Sequence, residues 1–227
     1  MVRRMTGDFK IGDFTATAFA GTGLACRRGG RLVFEGLNFS VERGGALILR
    51  GPNGTGKTTL LRLMAGLTPA AHGQLLWNGA PIDDPDAHAG HLRFVTHLDA
   101  IKPALTVTEN LQFWSRLWHG VDVAAALAAF GLQHLATYPA RLLSAGQRHR
   151  LALARLLAAP APLWLLDEPG NALDENSLNA LTRAIADHRA KGGMVIVASH
   201  GASYVNGGNT LELGTFTPKS AAHWSDA

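Results

Sequence analysis

A single cysteine, Cys26, is all that the 227 residues carry. That excludes an intramolecular disulfide and fits a reducing compartment. Cys26 reads best as a small buried strand residue. Long apolar runs are also missing. The most apolar stretch, Leu151 to Leu166, is interrupted by Arg155, Pro160 and Pro162, whereas a spanning helix needs about 20 apolar residues. The opening residues, Met1 to Lys10, carry charge with no long apolar segment after them, so no signal peptide is expected. A soluble or peripheral protein is the expectation. No Lys/Arg run exceeds two residues and the net charge is only +4, with ten histidines. A nucleic-acid footprint is therefore not indicated. The bland reading is a solvated basic surface, with an anionic membrane face or an acidic partner as the alternative. No internal repeat or low-complexity tract breaks the chain, and 47% hydrophobic residues suffice for one domain with a sizeable core.

What the chain does contain is a glycine-rich stretch in a telling place. Gly51, Pro52, Asn53, Gly54, Thr55, Gly56, Lys57, Thr58 and Thr59 follow the short apolar run Ala46 to Leu49. They precede a segment apolar at helical spacing that ends at Gly66. Glycines between a buried strand and a helix let successive N–H groups face one concavity, which suits a phosphate. The helix N-terminus adds roughly half a positive charge. Lys57 supplies a full charge for the β- and γ-phosphates of a nucleotide. The Thr58 hydroxyl can ligate Mg2+, which prefers oxygen.

The remaining elements are predicted from pattern. Phe14 to Phe19 alternates like an antiparallel edge strand. Leu24 to Cys26, Arg31 to Phe34 and Leu37 to Val41 read as further short strands, with Gly29-Gly30 as a hairpin turn. Gly73 to Gly79 is another strand, and His91 to Thr96 a core strand. Helices are expected over Asn110–His119, Val123–Phe130, Arg148–Ala159 and Ser177–Lys191. Leu163 to Asp167 and Met194 to Ala198 read as buried strands, and the last dozen residues as frayed.

Leu163-Trp164-Leu165-Leu166-Asp167-Glu168 puts two carboxylates at the C-terminal end of a buried strand, the edge where open α/β sheets bind ligands. Asp167 can hold Mg2+ directly or through water. Glu168 can orient and deprotonate an attacking water. Ser144, Ala145, Gly146 and Gln147 precede a helix and can offer a second anion site.

Phosphate loop, Leu143 to Gln147, Leu165 to Pro169, Ala172-Leu173-Asp174 and Ser199-His200 occur in one order. Together they resemble an ABC-type ATPase subunit from about Leu24 to Gly214. The resemblance implies an α/β fold of the P-loop NTPase type, a mixed core sheet with an antiparallel β subdomain and an inserted helical lobe. Its divisions would be an ATP-binding core at about 1–97 and 161–214, a lobe at about 98–160, and a C-terminal tail at 215–227. It implies ATP and Mg2+ as cofactors and a head-to-tail homodimer sandwiching two ATP molecules. In that dimer Ser144 to Gln147 form the signature motif that contacts ATP bound to the opposite subunit. Asp174 lies in the loop that crosses the interface. His200 is the switch histidine that contacts the γ-phosphate and helps orient Glu168.

Two positions depart from the family pattern. Eight residues before Leu105, where the family usually has glutamine, stands His97. A histidine there could still bond a metal-bound water or sense the lobe, with a charge that varies near neutral pH. Near Cys26 no aromatic residue is available to stack on adenine. Arg28, or Arg27, could stack by its guanidinium plane, or be a solvated turn arginine. Ser144-Ala145 in place of Ser-Gly, His97 with Ile101-Lys102, Leu24 to Arg28, and Ala152 to Leu156 narrow the resemblance to the ATP-binding subunits of cytochrome c biogenesis, the haem exporter ATPases. That implies a bacterial inner-membrane complex with this chain peripheral on the cytoplasmic face, a separate multi-span membrane subunit, and haem-handling partners. His72, His88, His91, His119 and His134 form no recognisable ligand pair, so nothing in the residues names haem. An exporter ATPase for another substrate, or a soluble ABC ATPase acting on nucleic acid or ribosomes, are the alternatives.

Overall fold

A computed structural model describes residues 17–96, 99–118, 122–201 and 203–218. Five strands form a wholly parallel sheet: β3 (Ala46–Arg50), β6 (Leu92–Val95), β7 (Leu163–Asp167), β8 (Met194–Ala198) and β9 (Asn209–Glu212). Their order is β6-β7-β8-β3-β9. Alternate residues on these strands serve two separate cores. Ile48, Trp164, Leu166, Val195 and Val197 face a helical layer. Leu47, Leu49, Leu163, Leu165 and Ile196 face the opposite side. Both faces are covered, so the strands read as near-continuous apolar runs. Each such side chain contributes about 1.5–3 kcal/mol by leaving water.

The helical layer is α3 (Val107–Leu117), α4 (Val123–Ala129), α5 (Ala145–Ala158) and α6 (Glu175–Ala190). Three of these lie in the connection between neighbouring strands β6 and β7. The other side is α1 (Lys57–Met64) and an antiparallel sheet. That sheet contains β1 (Thr17–Arg28), β2 (Arg31–Glu42), β4 (His72–Trp77) and β5 (Ala80–Pro81), in the order β2-β1-β4-β5. Cys26 is fully buried within it, and burial pushes its thiol pKa up.

Several predicted boundaries need correction. The strand reaching Phe19 is not an edge. β1 lies between β2 and β4, because β4 returns from far along the chain to pair with it; residues 14–16 lie outside the described residues. The two short strands after the hairpin are one. β2 continues through Gly36 (φ 64°), and between the pairs Leu24↔Leu37 and Cys26↔Phe34 it carries one residue more than β1. A bulge thus absorbs what the sequence shows as a break. The strand Leu92–Val95 lies at the edge of the parallel sheet. Three helices start earlier than their apolar periodicity does, because their first turns are set by caps. Thr106 and Glu109 make a capping box for α3, Ser144 and Gln147 one for α5, and Asp174 caps α6. The short helix α2 (Pro85–Gly90) and strands β5 and β9 carry too few periodic residues to be predicted. The frayed tail falls mostly on 219–227, outside the described residues.

One core contact sets an acid limit on stability. His188 on α6 stacks on Trp164 of β7, with ring centroids 3.9 Å apart and planes 6° from parallel. Burial lowers its pKa to about 4, against the opposing pull of backbone hydrogen bonds to Met194 and Pro162. The unfolded value is about 6.5. A base whose folded pKa is depressed stabilises fully above the unfolded value and loses that stability as pH falls through the folded one. Thermal melts should therefore shift downward between about pH 6.5 and 4. His188→Phe keeps the stack and should flatten that slope relative to wild type. An identical slope in both proteins would refute His188 as the cause.

Candidate nucleotide site

The site forms where β3, β7 and β8 end together. Gly51 (φ 146°), Gly54 (φ 85°) and Gly56 (φ 98°) all adopt backbone conformations that L side chains rarely reach. Gly56 is additionally hemmed in, since a Cβ there would stand 2.5 Å from Val33 Cγ1. The Lys57 ammonium is buried at the centre of the loop. It donates to the carbonyls of Gly51 (2.7 Å) and Pro52 (3.3 Å). Thr55 Oγ1 closes the loop by donating to Pro52 O at 2.8 Å. The Thr58 hydroxyl donates to Asp167 Oδ2 at 2.8 Å. A hydroxyl and a buried carboxylate side by side are a hard oxygen donor pair, which fits Mg2+. A cavity of about 320 Å³ opens here, lined by Asn53, Gly54, Gly56, Lys57, Thr58, Thr59, Asp167 and Glu168. Arg28 also lines it.

Glu168 sits one residue beyond β7 with φ 50°, in the left-handed region where a non-glycine residue is uncommon. Its N–H donates to Ala198 O of β8 at 2.9 Å, and its carbonyl accepts from Asn171 N–H at 3.1 Å. His200 follows β8. Its Nε2 lies 2.8 Å from Asn53 Oδ1, 3.3 Å from Lys57 Nζ and 3.7 Å from Glu168 Oε1. The ring thus joins the phosphate loop to the carboxylate. A second cavity of about 330 Å³ lies beside it, lined by Asn53, Glu168, Ser199, His200 and Tyr204 among others. Tyr204 had no signal in the sequence. Its buried ring packs on Gly170, where a Cβ would come within 2.7 Å of it, and burial raises its pKa to about 12.

Ser144, Ala145, Gly146 and Gln147 are not at this cavity. Exposed Ser144 caps α5, with its Oγ accepting from Gln147 N–H (3.2 Å) while Gln147 Oε1 accepts from Ser144 N–H (2.8 Å). The exposed Ser144 hydroxyl keeps a proton to donate, and it stands at a helix N-terminus, where an anion is favoured. A Cβ on Gly146 would lie 3.7 Å from Ala172 O, which brings this turn beside the loop of Asp174. Asp174 is exposed and accepts from Ser177. The Ser177 side-chain and backbone bonds hold its carboxyl below the usual range. His97 lies outside the described residues.

A parallel sheet with a phosphate loop after β3, paired carboxylates after β7, a histidine after β8 and a displaced Ser-Ala-Gly-Gln turn defines an ABC-type P-loop ATPase. A family model described as "ABC transporter" matches residues 34–171. The cytochrome c biogenesis ATP-binding export protein CcmA of Paramagnetospirillum magneticum is 52% identical over 207 residues, covering 88% of this chain and 95% of that protein. Its counterpart in Rhodospirillum rubrum is 53% identical over 203 residues, covering 88% and 87%. Among solved structures, a putative ABC transporter ATP-binding protein from Pyrococcus furiosus superposes with a TM-score of 0.77 at 25% identity, over 89% of this chain and all of that one. The chain belongs to the ABC transporter ATP-binding family and, within it, to the cytochrome c biogenesis ATP-binding export proteins.

Proposed function

We propose that the chain hydrolyses ATP to power a cytochrome c biogenesis exporter, as one of two identical subunits docked on a separate multi-span membrane subunit. The observation that carries the hydrolytic part is the convergence from three strand ends of Lys57, Thr58, Asp167 and Glu168 on one cavity, with His200 in the adjoining cavity and within 3.3 Å of Lys57 Nζ. Loop N–H groups and Lys57 hold the β- and γ-phosphates, Asn53 and His200 reach the γ-phosphate end, and Arg28 faces the base. Thr58 and Asp167 hold Mg2+, which when bound neutralises charge on the phosphate oxygens. Glu168 accepts the proton of the attacking water, and His200 keeps its carboxylate aimed. Ser144 of a second copy closes the γ-phosphate from the other side.

The membrane partner is supported by a groove between the core and the helices. Its cavity is about 450 Å³, and Leu67, Leu92, Phe94, Trp114 and Trp118 contribute apolar walls. Two half-buried cations stack on its indoles at 4.4 Å, Arg93 on Trp118 and Arg155 on Trp114. Among the described residues no helix is long and apolar enough to cross a membrane. A separate spanning protein supplies the route, and haem export or release of a haem-loaded chaperone is the step driven. Purified from membranes, the chain is expected to bring a multi-span subunit that leaves only under harsh washing, with hydrolysis that responds to haem or its chaperone. Recovery free of any membrane protein would overturn the docking. Hydrolysis indifferent to haem and chaperone would favour an exporter of another substrate.

A further inference from the structure

Behind the catalytic edge, outside every motif described above, lies His149. It is on α5, 9% exposed, and its two ring nitrogens have separate partners. Nδ1 is 3.1 Å from Asp99 Oδ1, and Nε2 is 2.9 Å from the carbonyl oxygen of Pro169. A carboxylate and a carbonyl are both acceptors. The ring satisfies both only with a proton on each nitrogen, and a side chain with one donor lets go of one end. The bond to the carboxylate is then charge-assisted, roughly twice as strong as a neutral one.

The two ends belong to functionally separate segments. Pro169 directly follows Glu168. Asp99 lies on the segment that leaves β6 for the helical lobe, and its carbonyl accepts from Arg155 Nη1 at 2.7 Å. Arg155 is the α5 residue whose guanidinium stacks on Trp114 in the groove. One helix therefore grips the Asp99 segment at two points and reaches through it to the residue after Glu168.

The third tether matters because of the backbone it holds. Glu168 at φ 50° sits in a left-handed conformation that a non-glycine residue adopts only at a cost. Such a residue persists only when its surroundings over-determine it. Two bonds to Ala198 and Asn171 act on Glu168 itself. The bond from His149 acts on the next peptide, so it fixes where the chain goes after the carboxylate. We propose that His149 is a positioning residue for ATP hydrolysis: it clamps Pro169 to keep Glu168 aimed and ties that aim to Asp99 at the root of the lobe. This rests on the role of Glu168 given above as proton acceptor.

The test uses the full chain in its membrane complex, with kcat, KM for ATP and thermal melting measured for each variant. His149→Gln has a single amide to offer and should lower kcat by about tenfold or more with KM within about twofold, since small misplacement of a catalytic group costs up to about 100-fold. His149→Arg presents donors on separate nitrogens and should recover kcat to within about threefold of wild type. Asp99→Ala cuts the clamp at its more exposed end and should lower kcat alone, by about threefold or more. Wild-type kcat in His149→Gln would overturn the proposal. So would a shared loss in the Gln and Arg variants that tracks a lower melting temperature. If His149→Gln does not fold, an unchanged kcat in Asp99→Ala overturns it instead. Glu168→Gln separates the two levels. Normal turnover there removes the role on which His149 depends, whereas a dead Glu168→Gln beside an undiminished His149→Gln removes His149 alone.

Discussion

Glu168→Gln is expected to reduce steady ATP hydrolysis by about 10²- to 10⁴-fold, the range a positioned general base supplies. The substitution keeps the size of the side chain and removes its capacity to take a proton. The backbone around it should hold, because the bonds to Ala198 and Asn171 are made by main-chain atoms. Lys57, Thr58 and Asp167 are untouched, so ATP should still bind. Two chains closed on ATP that neither can hydrolyse should then accumulate as a nucleotide-dependent dimer, visible by size-exclusion chromatography with light scattering. Normal turnover would remove Glu168 from the chemistry. Loss of turnover without a dimer would leave Glu168 in place and weaken the two-copy site.

Mixing two inactive chains should restore activity. Lys57→Ala removes the charge at the centre of the phosphate loop. Ser144→Arg blocks the exposed turn at the start of α5, which does not line its own chain's phosphate cavity. Each variant alone should lose hydrolysis by at least about 100-fold, as when one oxyanion-type donor is lost. In a two-fold dimer each site takes the loop from one chain and the Ser144 turn from the other. A mixed dimer therefore has one fully intact site, and an equimolar mixture should regain about a quarter of wild-type activity if sites act independently. No recovery in a mixture proven to exchange subunits would mean that each chain completes its own site. For the same reason wild-type specific activity should rise with protein concentration until dimers saturate.

How far the site was legible depended on how local its geometry is. Gly51 to Thr59 needed only a strand before and a helix after, so its place could be read from adjacent residues. The same holds for Asp167 and Glu168 after a run of apolar residues. Cap residues were legible as motif but not as cap. Ser144 and Gln147 were identified for a ligand, yet their own first task is to close each other's bonds at the start of α5, which moves the helix start back to Ala145. The antiparallel sheet was the least legible. Whether Phe19 lies at an edge depends on β4, a strand more than forty residues later, and no local pattern reports that pairing. Tyr204 and His149 left no trace at all. Each acts through a neighbour, Gly170 or Pro169, that is close only once the sheet and lobe have packed.

By itself the sequence determined the chemistry: a phosphate loop, a paired carboxylate, a serine turn and a histidine in an order that resembles one class of ATPase. Those signals are short-range, set by which side chains follow which strand. Only the tertiary structure decided how they meet. It brought Asn53, Lys57 and Glu168 around one ring nitrogen of His200 and kept Ser144 away from its own chain's phosphate cavity. It also threaded His149 between the lobe and Pro169. The physical reason is the parallel sheet. Its strands pair out of chain order, so residues distant in sequence end at one edge, and the contacts made there are invisible to any window along the chain.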